Sequence, residues 1–413
     1  MTDAPTPTDP GLVLRVAAMG DGLTADGRHV ALTAPGDHVT PSGEIVPGPH
    51  HAQPPCRHFP ECGGCQLQHL DESALSDFVT ERVLNALESQ GIVADEVAPA
   101  HLSPPRSRRR AVLHAINGPK GPRIGFTRER SHHVVDMMQC EVLEPRLFAM
   151  IAPLRGLLAN RLPKGGGAEI ILAIADQGVD IAIKGARFEG LDGHDAIIAF
   201  CETHALARLC LDEGYGPEPR WEPRPVTMRF GAATVPLPPG AFLQATADGE
   251  AVLLDAVLSA IGDADTVADL FAGLGTFALS LGVSPSGESR RIYAAEADRA
   301  AIESLKAGAN AARLHAVTEH RDLFRRPLET AELNRFGAVV LDPPRAGARE
   351  QCLRLAEATA TRIAYVSCNP ASFAKDAARL VEGGYRLRRI TPVGQFRWST
   401  HVELVGAFER PSP

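Results

Sequence analysis

The chain has 413 residues, enough for two or three domains and a sizeable core. Hydrophobic residues at 44% and charged residues at 22% exclude global disorder. No run approaches the roughly 18 apolar residues of a membrane span, and a net charge of −8 argues against a general nucleic-acid coat.

Residues 1–10 lack the basic and apolar regions of a signal peptide and read as a disordered tail, so a cytoplasmic protein is expected. Residues 11–46 alternate Val and Leu with polar residues between glycine turns, which predicts a small β module. A linker dense in proline and glycine follows, from Pro47 to Pro55. Leu75, Phe78, Val79 and Val83 then fall at helical spacing, predicting an amphipathic helix over 71–87 with Asp71 as its cap. Short β-like runs dominate from about 101 to 200, such as 111–116 and 169–174. Between 101 and 133 eight Arg and Lys residues, Arg106, Arg108, Arg109, Arg110, Lys120, Arg123, Arg128 and Arg130, face one acid, Glu129. That concentration suggests a phosphate-binding strip. After a second proline-rich stretch at 217–225, strands and helices alternate to the end, the pattern of a parallel α/β sheet.

Of the eight cysteines, Cys56, Cys62 and Cys65 lie on one tight loop around Gly63 and Gly64, and Cys140 is the candidate fourth ligand. Four thiolates suit either zinc or an iron–sulfur cluster. Residues 266–278 read as a strand, a glycine turn through Gly273 and Gly275, and a helix. Glu296 ends the next strand 23 residues after Gly273, at the spacing of an acid that reaches a ribose hydroxyl. The same glycine spacing serves dinucleotides, and Asp269 before the turn favours a cationic ligand. Asp342, followed by Pro343 and Pro344, is held at a strand end beside the same crevice. Cys368, between an apolar strand and Asn369-Pro370, sits at another strand exit, where open α/β sheets bind ligands.

Asp-Leu-Phe-x-Gly-x-Gly, Leu-Asp-Pro-Pro-Arg, Ser-Cys-Asn-Pro and the closing run Thr400-His401-Val402-Glu403 occur in this order. With them, residues 11–410 resemble the RNA (uracil-5-)methyltransferase family, in its iron–sulfur-containing 23S rRNA branch. The resemblance implies an α/β fold in three parts. These are a small N-terminal β module of TRAM (OB-like) type at 11–53 and a central, RNA-facing, cluster-bearing β-rich domain at 54–239. A Rossmann-like S-adenosylmethionine-dependent methyltransferase domain occupies 240–413.

The resemblance also implies S-adenosyl-L-methionine as methyl donor and a uridine in RNA, most readily 23S rRNA with tRNA as the alternative. By the same resemblance Cys368 is the nucleophile and Glu403 the proton-abstracting base. Donor contacts fall to Gln244, Phe271, Gly273, Glu296, Asp322 and Asp342. Thr276 stands where many relatives have asparagine, and Ala272 where many have cysteine. Cys56, Cys62, Cys65 and Cys140 would hold a [4Fe-4S] cluster. An NAD-dependent iron–sulfur oxidoreductase would use the same turn and thiols but leaves Cys368 and Glu403 unexplained; a non-catalytic RNA-binding protein is a third class. No protein partner is implied.

Overall fold

A computed structural model describes residues 9–119, 121–163, 165–284 and 287–410. Residues 1–8 of the expected tail and Lys120 of the basic strip lie outside the described residues.

Near the N-terminus, Val13–Val16, Gly22–Thr24 and His29–Val30 form a three-stranded antiparallel sheet, followed by the paired strands His38–Val39 and Ile45–Val46. Asp37, with no exposed surface, ties this module to the linker after it. Its carboxylate accepts from Gly48 N at 2.7 Å and pairs with His51 Nδ1 at 2.7 Å. The expected helix runs Glu72–Glu88, and Asp71 caps it by accepting from Ala74 N.

The middle of the chain builds a six-stranded sheet around Arg110–Gly118, Gly167–Ala175 and Gly178–Lys184. Alternate residues of Arg110–Gly118 are buried, as expected of a strand with one face on a core.

The C-terminal part holds seven strands that we number β1 (Thr266–Leu270), β2 (Arg291–Glu296), β3 (Ala316–His320), β4 (Ala338–Leu341), β5 (Arg362–Ser367), β6 (Arg386–Gly394) and β7 (Glu403–Glu409). Their order is β3-β2-β1-β4-β5-β7-β6. All residues of β4 are buried, because helices cover both faces of a parallel sheet. The strand order reverses between β1 and β4, the switch point where such sheets bind ligands.

β7 runs antiparallel to both neighbours. This reversal matters for the site. Parallel strands deliver their last residues to one edge of the sheet, whereas β7 delivers its first, Glu403. Segments from before residue 240 join the same unit: Glu96–Val97 and His101–Leu102 pair with β6. Leu75, Phe78, Val79 and Val83 share a buried cluster with Leu341, Tyr365 and Phe373. Among the described residues no helix is long and apolar enough to cross a membrane.

Candidate active site

The turn after β1 carries strained backbone. Phe271 adopts φ +65°, a left-handed conformation costly for a bulky residue. It follows that surrounding contacts hold it there, and Phe324 packs on its ring at 5.4 Å. The two glycines beyond it do different work. A Cβ on Gly275 would strike Leu279 and Leu305 at 2.8 Å, so this glycine allows the helix to close on the strand. A Cβ on Gly273 would meet nothing within 4 Å, so this glycine faces open space in which a ligand can approach the backbone.

Glu296 is at the end of β2, and its Oε2 accepts from Gly273 N at 2.9 Å. Asp269 is buried beneath the turn. It has no exposed surface, and its Oδ2 accepts from Ala278 N at 2.7 Å. Its role is to pin the glycine turn to the helix Thr276–Ser280 from beneath. Burial pushes this carboxyl up to about 7, while its Oδ1 has no partner in the protein. Asp322, after β3, accepts from the backbone N–H of Phe324 and Arg325. It therefore shapes the loop that presents Phe324.

Gln244, Asp342, Cys368 and Glu403 do come together. Gln244 donates to Asp342 Oδ2 at 3.4 Å. Desolvation, and then the charges of Glu403, Asp269 and Glu296, hold the Asp342 carboxyl well above the usual carboxylate range. The helix after it is capped at Ala348, so Asp342 is not its cap. Glu403 is 5% exposed, and burial pushes it up to about 7 against the opposing influence of the nearby Gln395 amide and the charge of Arg345.

Cys368 follows β5, and Asn369 caps the helix Pro370–Glu382, so the Asn-Pro pair opens a helix as well as ending a strand. Burial pushes its thiol up to about 11, reinforced by the carboxylates of Glu403 and Asp342 and opposed by Arg345. Between a half-buried thiol and two carboxyls there is room for covalent and acid–base chemistry on one small substrate.

Three neighbours escaped the sequence reading. Arg345 ends the Asp-Pro-Pro-Arg run and meets His401 Nδ1 at 3.3 Å. Gln395 follows β6 directly, and His401 precedes Glu403 by two residues. The available signal was a concentration of polar residues at a predicted strand exit.

Part of the basic strip is neutralised. Arg106 pairs with Glu141 at 2.8 Å, Arg109 with Glu250 at 2.5 Å, and Arg128 with Glu61. Arg109 and Arg110 also donate to the carbonyls of Gln244 and Ala241, each at 3.1 Å. Two arginines expected on phosphates thus clamp the loop that carries Gln244. Local charge counting missed acids that lie far away in the sequence.

Cys56, Cys62, Cys65 and Cys140 line one cavity with Phe59, Phe126, Met137 and Val142. Gly63 N donates to Thr127 O, and Gln139 Nε2 to Pro55 O, so the Cys140 segment is laced to the cysteine loop. Burial pushes Cys62 up to about 11 and Cys65 to about 12, and the neighbouring thiols add to both shifts. Among the described residues, no three His, Cys, Asp or Glu side chains group closely enough to hold a single metal ion. The loop also reaches the catalytic edge: Gln66 N and Leu67 N both donate to Trp398 O, at 2.7 and 2.9 Å. Trp398 has φ +58°, so this clamp fixes a strained turn five residues before Glu403.

Comparison with known proteins places this geometry. A model of the tRNA (uracil-5-)methyltransferase family matches residues 237–410. An uncharacterized RNA methyltransferase of Zymomonas mobilis is 47% identical over 96% of this chain and 99% of its own length. The 23S rRNA (uracil(1939)-C(5))-methyltransferase RlmD of Chromohalobacter salexigens is 34% identical over 89% of this chain and 78% of its own. The chain belongs to the RNA (uracil-5-)methyltransferase family.

This membership removes the oxidoreductase and the non-catalytic alternatives. The enzyme also shares its fold with the Pyrococcus abyssi tRNA (uracil-54, C5)-methyltransferase, solved in complex with S-adenosyl-L-homocysteine. The TM-score is 0.74 over 96% of this chain and 98% of that one, at 23% identity.

Proposed function

We propose that this enzyme methylates C5 of a specific uridine in 23S ribosomal RNA, using S-adenosyl-L-methionine and a covalent adduct between Cys368 and uracil C6. The observation that carries the reading is the meeting of Cys368, Glu403 and Asp342 at the sheet edge beside the glycine turn. The choice of RNA rests on the similarity to RlmD. Mapping 5-methyluridine in 23S rRNA and tRNA, from cells with and without the gene, tests it. The modification is expected to disappear from 23S rRNA alone, and its loss from tRNA alone would reverse the substrate.

The residues present fit the donor. Open space beside Gly273, the Glu296 carboxylate and the buried amide of Gln244 supply a cradle of backbone and polar groups. Phe271 and Asp342 complete it, with Asp322 acting through its loop. When bound, the donor supplies an electrophilic methyl group on a sulfonium.

Uracil C5 is a weak nucleophile. Addition of the Cys368 sulfur to C6 makes C5 enolate-like, which splits one difficult step into easier ones. At neutral pH the thiol is protonated in the substrate-free enzyme, so it gives its proton to solvent water as it attacks, and the charge of Arg345 favours the thiolate. Once C5 has taken up the methyl group, Glu403 removes the C5 proton and the C6–S bond breaks, which releases the thiolate and restores the C5–C6 double bond. A carboxyl held near 7 suits a base that must be ionised at neutral pH yet strong enough to take a carbon-bound proton. The target base must leave its stack to meet both groups.

Cys56, Cys62, Cys65 and Cys140 fit a [4Fe-4S] cluster. Such a cluster gives each thiolate its own iron, so the sulfurs line a cavity rather than converge on one ion. Those thiols sit beside the clamp on Trp398, and their part in this reading is to fold the RNA-facing region of residues 54–239. The N-terminal module at 11–53 is assigned a TRAM-type role in contacting RNA. Anaerobically purified protein is expected to contain iron and sulfide in equal amounts by elemental analysis; zinc without sulfide would reject the cluster.

A further inference from the structure

Arg108 stands where the cysteine loop meets the catalytic edge. Its guanidinium lies between two aromatic rings, 5.6 Å from the centroid of Phe126 and 5.2 Å from that of Phe396. The two rings belong to different places. Phe126 lines the cysteine cavity and packs on the tight loop itself, since a Cβ on Gly64 would come within 2.9 Å of its ring. Phe396 follows Gln395 in the turn that leads to Glu403, and its ring meets the imidazole of His401 edge-on at 6.0 Å. His401 accepts from the guanidinium of Arg345. The Arg345 carbonyl accepts from Asn369 Nδ2 at 2.9 Å, one residue beyond Cys368.

The backbone of Arg108 is as firmly placed as its side chain. Its N–H donates to Val142 O at 2.9 Å and its carbonyl accepts from Glu144 N at 3.0 Å, which ties it to the segment just after Cys140. It also pairs with Thr246, two residues beyond Gln244.

We propose that Arg108 is a positioning residue, a pin through which the cysteine loop holds the Phe396–His401 turn in register with Cys368. The inference rests on the assignment of Cys368 as the nucleophile. It goes beyond that assignment in giving the cysteine loop a hold on the catalytic edge, and it does not depend on what fills the cysteine cavity.

Arginine suits this place by shape and by charge. A planar guanidinium stacks on ring faces on both its sides, whereas a lysine ammonium is a compact point charge. Among the described residues no carboxylate pairs with Arg108. Its Nε donates to Arg110 O at 3.1 Å, so that carbonyl and the two rings offset its burial. The turn, for its part, needs holding from outside. Trp398 keeps its left-handed φ of +58°, a conformation that persists where the surroundings over-determine it. Gln66 N and Leu67 N fix its carbonyl, and Arg108 fixes the ring two residues earlier. The turn is thus restrained at two points from around the cysteine loop.

The test uses full-length, anaerobically purified Arg108→Ala and Arg108→Lys beside the unaltered enzyme, with total RNA from cells lacking the gene as substrate. Arg108→Ala should lower kcat for methyl transfer on the order of 10–100-fold, the scale of a small misplacement of reacting groups, with KM for RNA and donor unchanged. Arg108→Lys keeps the charge without the flat face and should recover part of that loss. Phe396→Leu should lower kcat too, and combining it with Arg108→Ala should cost no more than the worse single change. Trp398 emission reports the turn itself, once Trp221, the other tryptophan, is replaced by phenylalanine in the six-stranded sheet. In Arg108→Ala that emission should move to longer wavelength and become easier for acrylamide to quench.

An unaltered kcat in folded Arg108→Ala, an unmoved Trp398 emission, or additive losses in the double variant would overturn the proposal. A raised KM for RNA with a shallower salt dependence would make Arg108 a phosphate contact and overturn it as well. If none of the altered proteins folded, Arg108 would be a plain structural support, with the same consequence. Cys368→Ala in the same assay isolates the underlying assignment. Methylation retained there would show that the catalytic edge is misassigned, whatever Arg108 does.

Discussion

Cys368→Ala is expected to lower methyl transfer on the order of 10⁴-fold or more, the scale seen when a covalent nucleophile is removed. Binding of RNA should survive, because the change deletes one half-buried sulfur at the exit of β5 and leaves the sheet intact. The reason for so large an effect is that nothing else in the cleft can replace the thiol. Asp342 and Glu403 are buried carboxyls with raised pKa values, and neither adds to C6 as the softer sulfur does. Methyl incorporation and a gel-shift measurement on the same RNA check both halves of the expectation. Retained methylation would remove Cys368 from the mechanism.

Glu403→Gln should separate the two halves of the reaction and also stabilise the substrate-free protein. Loss of a general base costs about 10²–10⁴-fold in the step that uses it. Adduct formation comes earlier, so the enzyme should remain covalently bound to its RNA after methyl transfer. This is visible as a band that survives denaturing electrophoresis.

The stability effect follows from burial. Glu403 is raised from an ordinary 4.5 to about 7, so the folded state binds its proton more tightly than the unfolded chain. Its contribution to stability is fully present below about 4.5 and lost as pH rises through about 7. At pH 8 the buried charge costs roughly 3 kcal/mol, by the usual conversion of pKa shift to free energy. Glutamine carries no such charge. The variant should therefore melt higher than the unaltered protein at pH 8, and the gain should vanish at pH 4.5. An equal gain at both pH values would show that the effect is packing rather than charge.

Legibility of the fold varied with the kind of signal. The helix Glu72–Glu88 was readable because its apolar spacing and its Asp71 cap are local, and both are set within about four residues. The alternation of strand and helix after residue 240 was equally clear, since each parallel strand is a short apolar run between breakers. The residues expected on the donor side, near the ends of β1, β2 and β4, were legible from their places at strand ends. The hydrogen bonding of Asp269 was not legible. Sequence shows that a carboxylate precedes the glycine turn, but not that its oxygen is spent on Ala278 N. The basic strip misled in the same way, because Glu61, Glu141 and Glu250 return from distant parts of the chain to pair with it.

Sequence by itself determined the chemistry that is available. It supplied a thiol after an apolar strand, an acid in the closing motif, a glycine turn with its following acid, and three clustered cysteines with a candidate fourth. Only the tertiary structure decided which of these meet. Glu403 reaches Cys368 because β7 runs against β5, pairing Leu404 with Ser367, and no local pattern encodes the direction in which a distant strand is laid down. Gln395 acquires its place through the same reversal, as β6 ends where β7 begins. Strand direction and ion-pair partners are settled by long-range packing of the whole sheet, while motifs are settled residue by residue along the chain.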